Sequence, residues 1–376
     1  MHSESPDRVD VMHSAAQRQY PERVLPLRRP EGHSPPIPRY SADLQAGKKI
    51  AVLFVGVQGR SIEVVRQANL SELCNNSEPQ LTAPDYLDNA EYVDPEGYIN
   101  HIAALYWLEA SKFHDWLKSQ TVARWRARIY AEQNIGIWWE PIAISTERLE
   151  TITFKEYRRG VSACPAPELV LTPGTGYWGA ARDRIPASAH DRFEPSISEL
   201  DILRPPTRSF GRHLVVQPPM NMIVIRSGVS WASCRDEQLK DYHQHIKPKL
   251  DAGMDYLRRF PQETGCCVLR QVVCTTPQGD ALEEAYSLGC FISMEHLERW
   301  AKDHPTHLAI YSRAMAARRK YQDRLELRTY NEIFVLESDN PAFEYINCHP
   351  RTGLLPYFDS IECTPGGEAS RQRLVR

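Results

Sequence analysis

Two histidines in the last third of the chain are the clearest candidates for chemistry. They stand three residues apart in the segment HPTHLAIY (304–311). Histidine titrates near neutral pH and is the commonest metal ligand in proteins. A zinc site would need both rings on one helix face, but Pro305 disfavours a helical conformation for His304 and starts a new helix behind it. We therefore expect the two rings to point in different directions. No cysteine pair or H-E-x-x-H motif lies nearby to complete a zinc site.

The second histidine has a separate claim to a role. His307 is expected in the first turn of the following helix, with Thr306 as its N-cap. The helix dipole disfavours a protonated imidazole at that end, and a neutral imidazole is the form that binds iron. The helix also carries small residues that a flat macrocycle could approach: Ala309, Ala314, Ala316 and Ala317. A lone histidine can equally cap its own helix and pack in a core, and the residues alone leave both interpretations open.

Composition bounds the class of protein that carries these histidines. The chain has 376 residues, 42% hydrophobic and 25% charged, which suffices for one large domain or two ordinary ones. A net charge of -3 without a long basic run argues against a nucleic-acid partner. The longest apolar run, residues 50–57, is too short to cross a bilayer, so no membrane association is expected. Nine cysteines without a C-x-x-C pair predict reduced thiols and a cytoplasmic location.

A proline-rich arm is predicted before the regular structure. Residues 1–46 form this arm, and RRPEGHSPPIPRY (28–40) lies near its end. So many prolines disfavour a regular helix or a central strand. We expect this arm to be extended over the body of the protein. Residues 47–376 are predicted to form one α+β domain.

Buried strands that lead into amphipathic helices make up this domain. Strands are predicted at 48–59, at the start of 97–119, and at 220–231, 265–274 and 283–293. Ser111 and Ser293 are the expected N-caps of two helices. A long helix is expected at 236–259, kinked or broken by Pro248.

The two halves of the domain resemble each other weakly. VGVQ (55–58) and SGVS (227–230) end comparable strands, and LEASKFHDW (108–116) corresponds to ISMEHLERW (292–300). Two β-α-β halves, roughly 47–207 and 208–376, suggest two ferredoxin-like modules whose sheets close on each other.

Several motifs in a fixed order resemble the aldoxime dehydratases, haem b lyases that convert aldoximes to nitriles. HPTHLAIY is the most distinctive of them, and the likeness spans most of the chain. The others are PPIP at the end of the arm, GVQ, GYWGAARDRIP (176–186), IVIRSG (223–228), LDAGMDYL (250–257), LERW (297–300) and YINCHPRTGLL (345–355). The resemblance implies a dimeric α+β barrel made of two ferredoxin-like halves, a homodimer, haem b and a small aldoxime substrate.

The resemblance also implies roles for individual residues. His307 matches the iron ligand of the family, and His304 becomes a structural neighbour. Ser227 and Arg184 would hold the oxime oxygen, while Glu150 would assist substrate positioning or the redox behaviour of the haem. In the implied mechanism the oxime nitrogen binds ferrous iron directly, water leaves and the nitrile dissociates.

The residues themselves are compatible with these roles without requiring them. Ser227 follows Ile223 and Ile225 on one face of a strand, where one hydroxyl at the end of an apolar face suits a pocket. A serine at a strand end can also bond its own backbone. Arg184 precedes Ile185 in a predicted loop, where an arginine more often forms a surface ion pair.

One position departs from the family pattern. Where the family has a proton-donating histidine in a tract similar to LRLYHEV, this chain has LRTYNEIFVL (327–336), which places Asn331 there. Asparagine can hold a hydroxyl group but cannot deliver a proton at neutral pH. General acid catalysis is typically worth about 10²–10⁴ in rate. The sequence therefore leaves three functions open: aldoxime dehydration with another proton source, a haem enzyme for another N–O or N–N substrate, and a non-catalytic haem-binding protein.

Overall fold

The computed structural model describes residues 22–73, 82–200, 208–363 and 374–375, so the first part of the predicted arm lies outside the described residues. The strands are Tyr40–Asp43 (β1), Lys49–Gly59 (β2), Tyr86–Val93 (β3), Ile99–Trp107 (β4), Gly136–Ser145 (β5), Leu149–Thr153 (β6), Glu168–Leu171 (β7), His213–Val216 (β8), Ile223–Ser230 (β9), Cys266–Thr275 (β10), Ala281–Phe291 (β11), Arg328–Val335 (β12), Phe343–Ile346 (β13), Ser360–Glu362 (β14) and Leu374–Val375 (β15). The helices are Ile62–Gln67 (α1), Ala110–Leu117 (α2), Gln120–Tyr130 (α3), Ala180–Arg184 (α4), Asp236–Asp241 (α5), Lys247–Arg259 (α6), Pro261–Thr264 (α7), Met294–Asp303 (α8) and Pro305–Tyr321 (α9). Within these ranges no helix is both long enough and apolar enough to cross a membrane.

One antiparallel sheet contains all of these strands, and its central eight fall into two groups of the same order. The first group is arranged β5-β2-β4-β3 and the second β12-β9-β11-β10. Along the chain, helices connect β2 to β3 and β4 to β5 in the first group. In the second group they connect β9 to β10 and β11 to β12 in the same way. The groups meet through the pairing of β3 with β10. The α+β class is thus confirmed. The strand order runs from β15 to β7 without closing among the described strands, so the closed barrel stays a prediction.

Most predicted strands are confirmed, and the arm contains one that the sequence did not indicate. β1 lies within the predicted arm and pairs with both β6 and β7, so it is not an edge strand. The prolines at 35–38 end just before it, and they masked this short strand in the sequence pattern. The eight described cysteines are all free, as expected for reduced thiols.

The predicted helix at 236–259 is interrupted before its proline rather than at it. A π-helical turn at Tyr242–Ile246 separates α5 from α6. Pro248 lies in the first turn of α6, where its missing N–H would have had no helical partner anyway. The proline therefore starts the second helix and does not kink a continuous one.

Two of the three predicted helix caps are wrong. Ser293 does cap α8, since its hydroxyl accepts from the backbone N–H of His296. Helix α2 begins two residues earlier than predicted, with Glu109 and not Ser111 at the N-cap. At α9 the cap is His304, whose Nδ1 accepts from the backbone N–H of Thr306. The His304 imidazole thus satisfies a backbone N–H that has no partner within the helix, and Thr306 lies in the first turn instead of at the cap.

Close packing of α6 against α9 fixes the helix layer that covers β10 and β11. Gly253 of α6 faces Ile310 of α9, and an added Cβ atom at this glycine would lie 2.7 Å from the Ile310 Cδ1 atom. Trp300 of α8 packs in the same apolar cluster, together with Met254 and Leu257. The LDAGMDYL motif therefore sets how near α9 comes to its neighbours.

Candidate active site

A cavity of about 290 Å³ lies between the β6-β12-β9-β11 part of the sheet and the helices that cover it. Apolar side chains from α6, α8 and four strands form most of its walls: Ile225, Leu250, Met254, Leu257, Leu269, Phe291, Met294, Leu297 and Ile333. All the site residues predicted from the sequence also line it: Glu150, Arg184, Ser227, His307 and Asn331. The fold thus brings together, in one cavity, residues that lie up to 181 positions apart in the sequence, from 150 to 331.

His307 projects into this cavity from the first turn of α9, as predicted. Its ring lies against Trp300, with the ring centroids 4.7 Å apart, and 6.1 Å from the ring of Trp178. Burial lowers the pKa of His307, and only the backbone carbonyl of Ala301 acts in the opposite direction. Its buried Nδ1 atom has no hydrogen-bond partner among the described residues. The ring is therefore neutral at neutral pH, the form that can coordinate a metal.

His304 points elsewhere, so the two histidines do not share a ligand. Its ring packs on Tyr256 with centroids 4.1 Å apart, and its Nδ1 caps α9. Its Nε2 lies 3.9 Å from the carboxylate of Glu263, outside the cavity. Across the described ranges, no group of three His, Cys, Asp or Glu side chains converges on a possible metal position.

A polar patch on the sheet wall faces the helix that carries His307. Ser227 on β9 is directly opposite Asn331 on β12 in the antiparallel register. The Ser227 hydroxyl donates to the Asn331 Oδ1 atom at 2.7 Å. The alternative of a serine bonded to its own backbone is therefore wrong. Because the serine proton is used in this bond, the Asn331 amide NH₂ is the donor left for a ligand.

Ser287 is a cavity residue that the sequence analysis missed. It lies on β11 directly opposite Ser227, on the side away from Asn331, and lines the same cavity. Directly opposed residues point to the same face of a sheet, with Cβ atoms about 4.5–5.5 Å apart. Three polar side chains therefore form a row across neighbouring strands. The sequence holds no signal for this row, because strand register is set by tertiary packing.

Arg184 and Glu150 form a buried ion pair beside this row. The Arg184 Nε atom donates to Glu150 at 2.8 Å, and its Nη1 donates to the Gly174 carbonyl at 2.6 Å. The two side chains are 7% and 0% exposed, so the alternative of a surface ion pair is wrong. Arg184 also ends helix α4 and does not lie in a loop. The second carboxylate oxygen of Glu150 is buried without a described partner, and it can accept a hydrogen bond from a ligand.

Glu332 has a suitable pKa for proton transfer but faces the wrong way. Burial raises its pKa to about 7. As the neighbour of Asn331 in a strand, it projects to the other face of the sheet. There its carboxylate accepts from the Tyr106 hydroxyl at 2.9 Å and from the Val161 N–H at 2.7 Å. It does not line the cavity and is not aimed at a ligand there.

The lining of the cavity suits a haem group, with His307 as the candidate ligand. Its walls are mainly apolar, two indole rings flank one neutral imidazole, and a ring nitrogen of that imidazole has no described partner. The alanines of α9 do not provide the expected small-residue surface, because only His307 and Ile310 of this helix line the cavity. Ala317 packs in a different cluster, and the small cavity residues belong to α4 and α8: Ala180, Ala181 and Ala301.

Comparisons with known proteins agree with this geometry. The model of the haem-containing dehydratase family matches residues 54–354. The phenylacetaldoxime dehydratase of Bacillus sp. (strain OxB-1) is 32% identical over 338 residues, which cover 89% of this chain and 95% of that protein. An aliphatic aldoxime dehydratase of Pseudomonas chlororaphis is 34% identical over 342 residues, covering 89% and 94%.

Two solved structures of aldoxime dehydratases are also similar to this chain. The crystal structure of an aldoxime dehydratase in complex with butyraldoxime superposes with a TM-score of 0.81 at 29% identity, covering 90% of this chain and 94% of that one. A second aldoxime dehydratase structure gives a TM-score of 0.79 at 31% identity, with 90% and 96% covered. The chain therefore belongs to the haem-containing aldoxime dehydratase family.

Proposed function

We propose that this protein is a haem b lyase that converts an aldoxime, R–CH=N–OH, into a nitrile and water. The observation that carries the proposal is the shared cavity, in which His307 on the helix wall faces a polar row and a buried ion pair on the sheet wall. His307 would hold the haem. When bound and ferrous, haem b supplies a position for direct binding of the oxime nitrogen and electron density that weakens the N–O bond.

The residues of the sheet wall would orient the oxime oxygen. Arg184, held by Glu150 and by the Gly174 carbonyl, presents a fixed positive charge towards the cavity. The Ser227 oxygen and the Asn331 amide stand beside each other as acceptor and donor. Together they can hold the oxygen while the apolar walls exclude water from the rest of the substrate.

The leaving hydroxyl group needs a proton that Asn331 cannot give. The Ser227 proton is already bonded to Asn331, and Glu332 lies on the other face of the sheet. Ser227 is exposed to solvent. We therefore infer that a water molecule at Ser227 delivers the proton, while the substrate C–H proton leaves to solvent.

The proposal extends to the assembly of the chain. The repeated strand order supports two ferredoxin-like halves, 47–207 and 208–376, in one haem-binding domain with residues 1–46 as its arm. Bonds from the β5 backbone to the segment after β12 support closure of the sheets into a barrel: Ser145 N–H to Glu337 at 3.1 Å, and Ala143 N–H to Asn340 at 3.1 Å. A homodimer and a cytoplasmic location complete the proposal.

Turnover under reducing conditions tests this function. The purified holoprotein, reduced without oxygen, is incubated with aryl and alkyl aldoximes, and nitrile is measured by gas chromatography. We expect stoichiometric nitrile formation with reduced protein and far less with the ferric form. Full haem loading without nitrile from any aldoxime would overturn the proposal.

The second candidate is a haem enzyme that acts on another N–O or N–N substrate. The observation in its favour is Asn331, which bonds Ser227 and leaves the cavity without an acidic proton donor on that wall. Hydroxylamine and hydrazine derivatives in the same assay distinguish the two. A haem-bound protein inert towards every class would indicate a non-catalytic haem-binding function.

Ser227→Ala is expected to lower aldoxime turnover by about 10–100-fold, as loss of a charged or well-oriented hydrogen bond commonly does. Haem content should stay near the wild-type value, because Ser227 lies on the wall opposite His307. Pyridine haemochrome absorbance measures haem, and nitrile formation measures turnover.

Ser230→Ala is the matched control for this substitution. Ser230 lies on the same strand, its hydroxyl bonds the Glu283 carbonyl, and it does not line the cavity. It should retain wild-type turnover. Equal activity of Ser227→Ala and wild type would remove the serine from the mechanism.

A further inference from the structure

Two arginines meet just beyond the polar end of the cavity. Arg39 belongs to the arm and directly precedes β1, and its Nε atom donates to the Thr153 carbonyl at 3.1 Å. Arg318 comes from the second half of α9, and its guanidinium lies 5.4 Å from the ring centroid of Phe154. Both side chains therefore reach the same end of β6. Neither forms an ion pair with a described residue, although the chain has many acidic groups.

Sheet register places this arginine pair next to the site. Asn331 is opposite Ile152 on β6 and opposite Ser227 on β9. Phe154 is two positions beyond Ile152, so it projects to the same face about 7 Å further along the strand. It packs there with Val229, which stands two positions beyond Ser227. The arginines thus lie one residue pair beyond the Ser227–Asn331 row.

Helix α9 connects the arginine pair to the proposed haem ligand. Arg318 follows His307 by eleven residues, about three turns, so both lie on one face of the helix, roughly 16 Å apart. The Arg318 guanidinium lies over the Phe154 ring, so this face of the helix is turned to the sheet. The groove between α9 and the sheet therefore has a neutral imidazole at one end and two guanidinium groups at the other.

The positive charge at this end is not neutralised. Burial, together with the guanidinium groups of Arg318 and Arg184, lowers the pKa of Arg39 to about 9, and Glu150 only partly opposes this. Burial also lowers the pKa of Arg318. Arginine stays protonated in proteins, so the lowered values measure unfavourable charge that an anion would relieve. Of the neighbouring acidic groups, Glu150 is already paired with Arg184.

We propose that Arg39 and Arg318 bind a carboxylate group at this end of the cavity. Guanidinium groups match carboxylates with two parallel hydrogen bonds, which makes them the usual partners of a half-buried carboxylate. Two sources have this chemistry: a propionate side chain of the haem, or an acid group carried by the aldoxime. The inference rests on the proposed function, and it gives the arm a role, since Arg39 would tie the arm to the bound ligand.

Haem loss from the holoprotein tests the first source. Arg318→Gln removes a guanidinium that bonds no described residue, so the fold should survive. We expect haem transfer to excess apomyoglobin, followed by absorbance, to become about 10–100-fold faster, the usual effect of losing a charged hydrogen bond. Arg318→Lys should recover part of this. Arg319→Gln, the exposed neighbour on the same helix, is the matched control and should match wild type.

Arg39→Gln should accelerate haem loss to a similar extent, with exposed Arg29→Gln of the arm as its control.

A second measurement tests whether the aldoxime supplies the carboxylate. Each variant is titrated spectrophotometrically with two aldoximes that differ only in a terminal carboxylate or carboxamide. If the substrate supplies the carboxylate, wild type prefers the acid, the variants lose that preference, and haem loss is unchanged.

Unchanged haem loss together with unchanged acid-to-amide preference in both variants would overturn the carboxylate site. Failure of the proposed function looks different. A holoprotein that turns over no aldoxime would overturn the lyase proposal, while the comparison of haem loss between Arg318→Gln and Arg319→Gln would still report on the arginine pair.

Discussion

Replacing His307 with alanine is expected to yield a protein that is purified almost without haem. His307 is the one imidazole that lines the cavity among the described residues, and its lowered pKa keeps a lone pair available for iron. Loss of a mere hydrogen-bond partner of a metal ligand typically costs about 10–100-fold in affinity, so loss of the ligand should cost at least as much. The ratio of Soret to protein absorbance measures the loss. Added free imidazole should restore part of the band.

His304→Ala is the matched control, three residues away on the same corner. This substitution removes the cap of α9, at a cost of about 1 kcal/mol in the free energy of unfolding. It should lower the melting temperature slightly and leave the Soret band in place, because the His304 ring faces Tyr256 outside the cavity. The opposite pattern, with the band kept in His307→Ala and lost in His304→Ala, would contradict the assignment.

Features that depend on local residue patterns and on ordered motifs were predictable from the sequence. Stretches rich in Val, Ile and Leu gave β2, β9 and β10, because a strand buried on both faces needs apolar residues throughout. The order of motifs singled out His307, Ser227 and Arg184, which line one cavity. The direction of the two histidine rings followed from Pro305 alone, since a residue before proline avoids the helical conformation.

Features that depend on contacts between distant segments were not predictable. His304 replaces Thr306 as the cap because its ring can fold back onto α9, and only the corner between α8 and α9 decides this. The burial of Arg184 depends on Glu150, 34 residues away. Ser287 joins the polar row through the pairing of β11 with β9, and no local pattern encodes that register. Charge–charge neighbours such as Arg39 and Arg318 are invisible for the same reason.

Asn331→His is expected to accelerate N–O cleavage if the protein is an aldoxime dehydratase that lacks its usual acid. Position 331 is on the cavity wall, beside the hydroxyl of Ser227 and on the strand next to the one that carries Glu150. An imidazolium there could donate a proton to the departing hydroxyl group. A positioned general acid is worth up to about 10²–10⁴ in rate. Single-turnover decay of the ferrous enzyme–aldoxime complex is the measurement, since it separates cleavage from product release.

The pH dependence of cleavage should distinguish acid catalysis by the new histidine from tighter packing of its side chain against the substrate. The new imidazole donates only when protonated, so the gain should be present at low pH and lost as the pH rises through its pKa. That pKa starts near 6.5, and burial among the apolar walls lowers it, while Arg184 and Glu150 contribute opposite charges that offset each other. The limb should therefore lie at or below about 6.5. Asn331→Gln, which fills similar space without a titrating group, should show neither the gain nor the limb.

The result also decides between the two enzymatic functions. In the wild-type protein Asn331 accepts a hydrogen bond from the Ser227 hydroxyl, an arrangement that suits a water-mediated proton transfer or a substrate that needs no acid. If the histidine variant retains its haem and cleaves several aldoximes no faster at any pH, the missing acid does not limit the reaction. The cavity would then be shaped for another nitrogen substrate. If cleavage speeds up and the acid limb appears, the wild-type cavity already holds the oxime in the dehydration geometry and lacks only the proton donor.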